Sequence, residues 1–327
     1  MNRYPQYDFS PDVNRRLRGF RKYLESQGAG KDTIRQKSNY AGFYLSWLHQ
    51  EGMHQEDARY NDMLSFIDYC RLEEKSKRQV NTMLRSVRNY YQYLKETGSN
   101  IINPALNLHV RGEIQKLPSG VIVWQKLERI YQDYNTGTLR EQRNKVILGL
   151  YVYQGITTGE LQRMEPGHLK LKEGRVYITG TRRSNGRVLN LQPFQVMQLH
   201  EYLSDIRPQI LKGINKPGMA SPASRPGRKP DRINLERVRE QLFISINGSE
   251  NIKNSLLHMF RDIRKVNPEL QHAKQIRSSV IIHWLKNYNL RQVQYMAGHK
   301  YVSSTERYQL NNLDNLQSKL EEYHPLG

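Results

Sequence analysis

Four residues in the last quarter of the chain combine a nucleophile with cationic and proton-handling groups. Lys274-Gln275-Ile276-Arg277 opens one helical pattern, Ala297-Gly298-His299 closes another, and Tyr308 follows His299 by nine residues. A tyrosine oxygen can form covalent intermediates. Arginine presents a planar fork of donors that fits phosphate and stays charged. Imidazole exchanges a proton near neutrality. Each residue also has a structural reading: Arg277 paired with an acidic neighbour, His299 satisfied by helix-end carbonyls, Tyr308 packed on an amphipathic face. The chain has 21 tyrosines, so the nine-residue spacing decides little by itself. Ser303 and Glu306 have the spacing of a capping box that would open the Tyr308 helix.

The elements that must hold these residues are mostly helical. Leu17, Phe20 and Leu24 share one face, and Ile34, Ala41, Tyr44, Leu45 and Leu48 another. Met63, Phe66, Ile67 and Cys70, then Val80, Met83, Leu84, Val87, Tyr91 and Leu94, repeat the pattern. Four amphipathic helices over about residues 11–97 predict a small bundle. Arg78, Asn81, Arg85 and Arg88 lie off the fourth apolar stripe, as a phosphate-facing strip or a solvated basic face. Gly98-Ser99-Asn100 stops that helix, and residues 108–121, with Pro118 and Gly120, read as a linker. The second domain, residues 122–327, opens with helices near 124–134 and 139–153; the apolar run Val146 to Ile156 reads as a buried helix. Strand-like runs follow at His168–Leu171, Arg175–Thr179 and Arg187–Leu191, and Asn185-Gly186 is a hairpin signal between the last two. Helical pattern resumes at Pro193, residues 213–232 read as a surface loop, and helices return from about 234. The fold class is mainly α with a small antiparallel sheet (α+β).

Fifty-one Lys and Arg against 31 Asp and Glu give a net charge of +20. Residues 1–110 hold 17 basic and 12 acidic side chains, and residues 111–327 hold 34 and 19. So large a surplus suits a polyanion, above all nucleic acid, because neutralised phosphates release counterions. No apolar run approaches the roughly 18 residues of a membrane span, and Met1 to Ser10 lack the apolar core of a signal peptide. The single cysteine, Cys70, fits a cytoplasmic compartment. Ten histidines and one cysteine form no metal-ligand spacing, and no nucleotide-binding glycine loop is present. No metal and no cofactor are expected.

Arg277, the Gly298-His299 pair, Tyr308, the upstream hairpin and a front bundle ending in Asn103-Pro104-Ala105 together resemble the tyrosine-recombinase (phage-integrase) family. The likeness, to its lambda-integrase-like and Xer-like two-domain members, runs from about residue 11 to the end. It implies a helical, SAM-like core-binding domain over residues 1–107 and a catalytic domain over 122–327. It also implies transesterification: Tyr308 attacks a phosphodiester, a 3′-phosphotyrosyl link forms, and a 5′-hydroxyl leaves. Arg277 would clamp the phosphate and His299 would donate to it or assist the tyrosine proton. Lys274 stands where the signature has histidine. The sequence departs from the family twice. In Gly155-Ile156-Thr157-Thr158-Gly159-Glu160-Leu161 the first signature arginine is replaced by Thr157, which with Glu160 forms a Thr-x-x-Glu capping pattern. No lysine lies between Lys172 and Lys212, where the hairpin offers Arg182, Arg183 and Arg187.

The expected catalytic set is therefore Tyr308, Arg277, His299, Lys274 and Arg182, with Arg183 and Arg163 also near enough in sequence to replace the missing arginine. The expected DNA contacts are Lys31, Arg35, Arg78, Arg85, Arg88 and Arg183. The likeness implies double-stranded DNA gripped between two basic halves, a monomer in solution, a homotetramer on DNA, an accessory DNA-bending protein, and a nucleoid-associated cytoplasmic location. Leu313, Leu316 and Leu320 offer an apolar face to a neighbouring protomer or to the chain's own core. The alternatives are a DNA-binding relative with weakened or no catalysis, and a type IB topoisomerase-like enzyme.

Overall fold

The computed structural model describes residues 7–99, 101–112, 120–214, 235–246, 248, 249 and 251–309. The chain divides into two compact units, Met1–Gln115 and Lys116–Gly327.

The first unit is a bundle of α1 (Pro11–Ser26), α2 (Lys31–Gln50), α3 (Tyr60–Leu72) and α4 (Lys77–Glu96). Ser10 and Ser76 cap α1 and α4, accepting from Val13 and Gln79 amides at 3.4 and 3.3 Å. Every residue assigned above to the four apolar faces is buried. The tyrosine hydroxyls in this core close on one another and on one residue: Tyr44 meets Tyr91 at 2.9 Å, and Tyr91 and Tyr90 donate to the Gln55 carbonyl and side chain at 2.8 and 2.7 Å. Gly42 lets α2 approach closely, since a Cβ there would sit 2.6 Å from the Phe9 ring.

The chain after α4 does not leave the bundle at residue 107. Asn81 donates to the Val110 carbonyl (3.0 Å) and accepts from its amide (2.8 Å), and Arg88 donates to the Leu108 carbonyl at 3.0 Å. Ala105 and Leu108 are buried in the first core. The linker read over 108–121 is thus too long at its start, because Asn81 and Arg88 strap residues 108–110 to α4.

In the second unit α5 (Trp124–Gln132) and α6 (Leu139–Gln154) precede a short α7 (Thr158–Gln162). Three antiparallel strands follow in the order β1 (Leu169–Lys170), β2 (Arg175–Ile178), β3 (Arg187–Asn190). Val176 faces Leu169 on one side and Leu189 on the other. The β2–β3 reversal is not at Asn185-Gly186. Thr181 and Ser184 pair, with mutual backbone hydrogen bonds of 2.8 and 3.3 Å, leaving Arg182-Arg183 as the two-residue loop. Gly186 has no positive φ, and the Asn185 amide donates to the Gly298 carbonyl instead.

Beyond the sheet come α8 (Pro193–Glu201), a π turn over Tyr202–Ile206, α9 (Arg207–Ile214), α10 (Leu235–Glu240), α11 (Lys253–Val266), α12 (Ala273–Asn287) and α13 (Leu290–Ala297). Most of the surface loop expected over 213–232, and Leu313, Leu316 and Leu320, lie outside the described residues. α6 and α12 form the centre. Val146, Ile147, Leu148, Leu150, Tyr151 and Val152 are buried on α6, and Ile276, Val280, Ile281 and Ile282 on α12. Apolar residues on several sides mark helices with no solvent face to reserve. Arg143 on α6 is fully buried, donating to the Ile244 carbonyl at 2.7 Å and to Asn144 Oδ1 at 2.8 and 3.2 Å. No described helix is long and apolar enough to cross a membrane.

Candidate active site

Gly155 ends α6 in the left-handed region (φ 54°) and turns the chain toward α7. Thr157 caps α7 as its spacing predicts. Its Oγ1 accepts from the Glu160 amide at 3.1 Å, and Glu160 accepts from the Thr157 amide at 2.7 Å and hydroxyl at 3.0 Å. The box does more than stop fraying, because it fixes Glu160, a carboxylate only 2% exposed.

Two guanidiniums converge on that carboxylate. Arg187 on β3 reaches it through both terminal nitrogens, at 2.6 and 3.3 Å, and its side chain has no exposed surface. Arg277 on α12 lies 3.8 Å away. Burial alone would raise the Glu160 pKa, but Arg187, Arg277 and the Thr157 amide outweigh it and hold the carboxyl below its ordinary value. Arg277 also donates to the Gly155 and Ala297 carbonyls, each at 2.5 Å, and so joins the C-terminal ends of α6 and α13. Burial pulls its own pKa down, with Glu160 opposing. One fully buried cation, Arg187, and one mostly buried cation, Arg277, thus share one buried anion.

α13 ends in a Schellman turn: the Gly298 amide donates to the Tyr295 carbonyl (2.8 Å) and the His299 amide to Gln294 (3.0 Å), with Gly298 at φ 64°. Only glycine fits, because a Cβ would stand 2.4 Å from Arg187 Nη1. Ser184 at the hairpin tip bridges to His299. The His299 ring lies parallel to that of Tyr308, with centroids 6.0 Å apart and planes at 14°, and its Nδ1 is 2.9 Å from Oγ1 of the buried Thr305. Burial, reinforced by Arg277, Arg187 and Arg307, pushes the His299 pKa down to about 4. The ring is therefore neutral at pH 7, a donor through one nitrogen and a weak base through the other.

Tyr308 lies on the helix over 303–309 and is buried, 7% exposed. The capping box expected from Ser303 and Glu306 is not the start of this helix. The Val302 carbonyl accepts the Glu306 amide at 3.0 Å, which puts Ser303 inside the first turn. Arg307 lies against the tyrosine, its guanidinium carbon 5.9 Å from the ring centroid.

The structure brings Arg277, His299 and Tyr308 together and leaves the other expected residues at the surface. Lys274 is exposed one turn before Arg277, Arg182 and Arg183 are exposed at the hairpin tip, and Arg163 is exposed at the end of α7. In the first unit Lys31, Arg35, Arg78 and Arg85 are exposed, with Arg35 paired to Asp32 at 3.2 Å. Arg88 is half-buried, with one terminal nitrogen donating to the Leu108 carbonyl at 3.0 Å and its Nε buried. Thr305 and Arg307 were missed; both lie on the short helix of Tyr308, three residues and one residue before it, which was the available signal.

The phage integrase family model matches residues 121–314, more than half of the chain. Tyrosine recombinase XerC of Oceanobacillus iheyensis is 24% identical over 311 residues, covering 94% of each chain. The XerH site-specific recombinase bound to a palindromic difH substrate superposes with a TM-score of 0.66 at 15% identity, over 91% of this chain and 83% of the other. The Tn1549 transposon integrase in complex with transposon right end DNA gives 0.61 at 12% identity, over 94% and 99%. The fold is theirs, and by the extent of the family match the chain belongs to the phage integrase family.

Proposed function

We propose that this protein is a site-specific DNA recombinase that cuts and rejoins duplex DNA through a 3′-phosphotyrosyl link on Tyr308. One observation carries the reading. Glu160 is shared by Arg187 and Arg277 beside a neutral His299 stacked on Tyr308, so the site holds more positive than negative charge next to its nucleophile. A phosphodiester supplies the missing negative charge, and preorganised donors stabilise the further charge that develops as phosphorus becomes five-coordinate. The Tyr308 oxygen bonds to phosphorus while the bond to the 5′-oxygen breaks, and that oxygen leaves as a hydroxyl. A 5′-hydroxyl of another strand reverses the step. The bond energy stays in the protein–DNA link, so the reaction needs no nucleotide or metal. Lys274 and Arg182 are candidates for the remaining donors. Lys31, Arg35, Arg78, Arg85 and Arg183 are candidates for backbone contacts.

The XerH and Tn1549 integrase structures hold DNA, which supports duplex DNA as the partner. Assembly as a tetramer on DNA from a monomer in solution, an accessory DNA-bending protein and a nucleoid-associated cytoplasmic location belong to the same proposal. Mixing differently tagged subunits on DNA tests the assembly; no co-assembly sinks it.

A second reading, DNA binding without cleavage, is favoured by Thr157, whose hydroxyl is a helix cap where the likeness expects a phosphate clamp. A nicked duplex from the DNA flanking the gene, which traps a phosphotyrosyl intermediate, separates the two. An SDS-resistant adduct in wild type that is lost in Tyr308→Phe establishes cleavage. Specific binding with no adduct in wild type or in Thr157→Arg establishes the second reading.

A further inference from the structure

The two guanidiniums that converge on Glu160 are already engaged. Arg187 has no exposed surface and both its terminal nitrogens are on Glu160. Arg277 has one terminal nitrogen on each of two backbone carbonyls. A transition state with extra charge on the phosphate oxygens still requires a guanidinium that can turn its donors toward them. Arg163, Arg182 and Arg183 are exposed, at the end of α7 and on the hairpin tip.

One more arginine touches the nucleophile. Arg307 is half-buried on the helix over 303–309, and its guanidinium carbon lies 5.9 Å from the Tyr308 ring centroid. Its Nε is buried with no hydrogen-bond partner, a donor withdrawn from water and given nothing in exchange. The Tyr308 ring is in turn stacked on His299. Arg307 is also among the cations that push the His299 pKa down, after burial, Arg277 and Arg187.

The geometry points to Arg307 as a catalytic residue that grips a non-bridging oxygen of the scissile phosphate, the contact Thr157 cannot make. An entering phosphate oxygen satisfies the orphaned Nε and one terminal nitrogen together, as a fork. The inference rests on the strand-transferase reading.

The test measures the rate of adduct formation on the nicked duplex for wild type, Arg307→Gln and Arg307→Lys. A second duplex carries a methylphosphonate at the scissile position, so that one negative charge is absent. On the phosphodiester, Arg307→Gln is expected to slow adduct formation by about 100–1000-fold with unchanged site binding, and Arg307→Lys by less. On the methylphosphonate the Arg307→Gln defect is expected to shrink by about tenfold or more, because the charge that Arg307 neutralises is gone. An equal defect on both duplexes means that Arg307 only packs on Tyr308 and overturns the inference. So does an undiminished rate in Arg307→Gln. No adduct from wild type removes the strand-transferase reading and this inference with it.

Discussion

The two units bury different things. The first keeps its core largely apolar: the polar side chains it fully buries among the described residues are uncharged, and several hydroxyls close on neutral partners, Tyr44 on Tyr91, and Tyr90 and Tyr91 on Gln55. The second buries whole charges. Arg143 is held by a carbonyl and an amide oxygen, while Glu160, Arg187 and Arg277 hold one another. A buried ion is costly unless paired, so a core made of ions gains less stability than one made of phenylalanines. What it gains is position: Glu160 ties α7, β3 and α12 together behind the Tyr308 site. One unit is built to fold, and the other sets aside part of that advantage to hold a reactive geometry.

Removing one ion should separate the units most. Glu160→Gln leaves Arg187 buried without a counter-charge, and a loss of about 3–5 kcal/mol is expected in urea unfolding. Tyr91→Phe in the first unit deletes a neutral hydroxyl and should cost about 1–3 kcal/mol. If the two cost the same, the distinction between the cores collapses.

Acid should find the second unit first. The folded His299 ring has a pKa of about 4, below the ordinary imidazole value. Between that value and about 6.5 the unfolded chain binds more protons, so stability rises with pH and falls on acidification. The Glu160 carboxyl, also held low, adds a loss in the same direction at lower pH. Unfolding at pH 5 against pH 7 should show about 1–3 kcal/mol less stability, and His299→Gln should flatten the upper part of the curve. A wild-type curve already flat over this range would mean that His299 is not buried among arginines.

Gly298→Ala should cost about 1–2 kcal/mol for the left-handed conformation alone, with more as Arg187 is displaced, read as a lower unfolding midpoint. The smallest effect tests where the units should agree. Ser76→Ala and Thr157→Ala each remove a helix cap and should each cost about 1 kcal/mol. A much larger loss at Thr157 would show the cap to be part of the ion network rather than a local device.

Legibility follows the same division. The bundle was readable because an apolar stripe at helical spacing is a local property, and the residues assigned to it are buried without exception. α6 was readable as a buried run. The site was readable only as a motif: Arg277, His299 and Tyr308 could be named, but not the buried pair of Glu160 and Arg187, which are 27 residues apart and meet only once the hairpin folds over α7. The hairpin was misread for a related reason. Asn185-Gly186 is the stronger local turn signal, yet a bond from Asn185 to Gly298, more than a hundred residues away, holds it straight. Arg88 looked free because α4 was read without the segment that returns across it.

Thr157 has a consequence for any redesign of the site. An arginine placed there would do more than add a cation: it would take away the hydroxyl that caps α7 and one of the donors that hold Glu160 still. Such a replacement yields a less stable protein, by roughly the value of a helix cap, unless a second change supplies a new cap for α7.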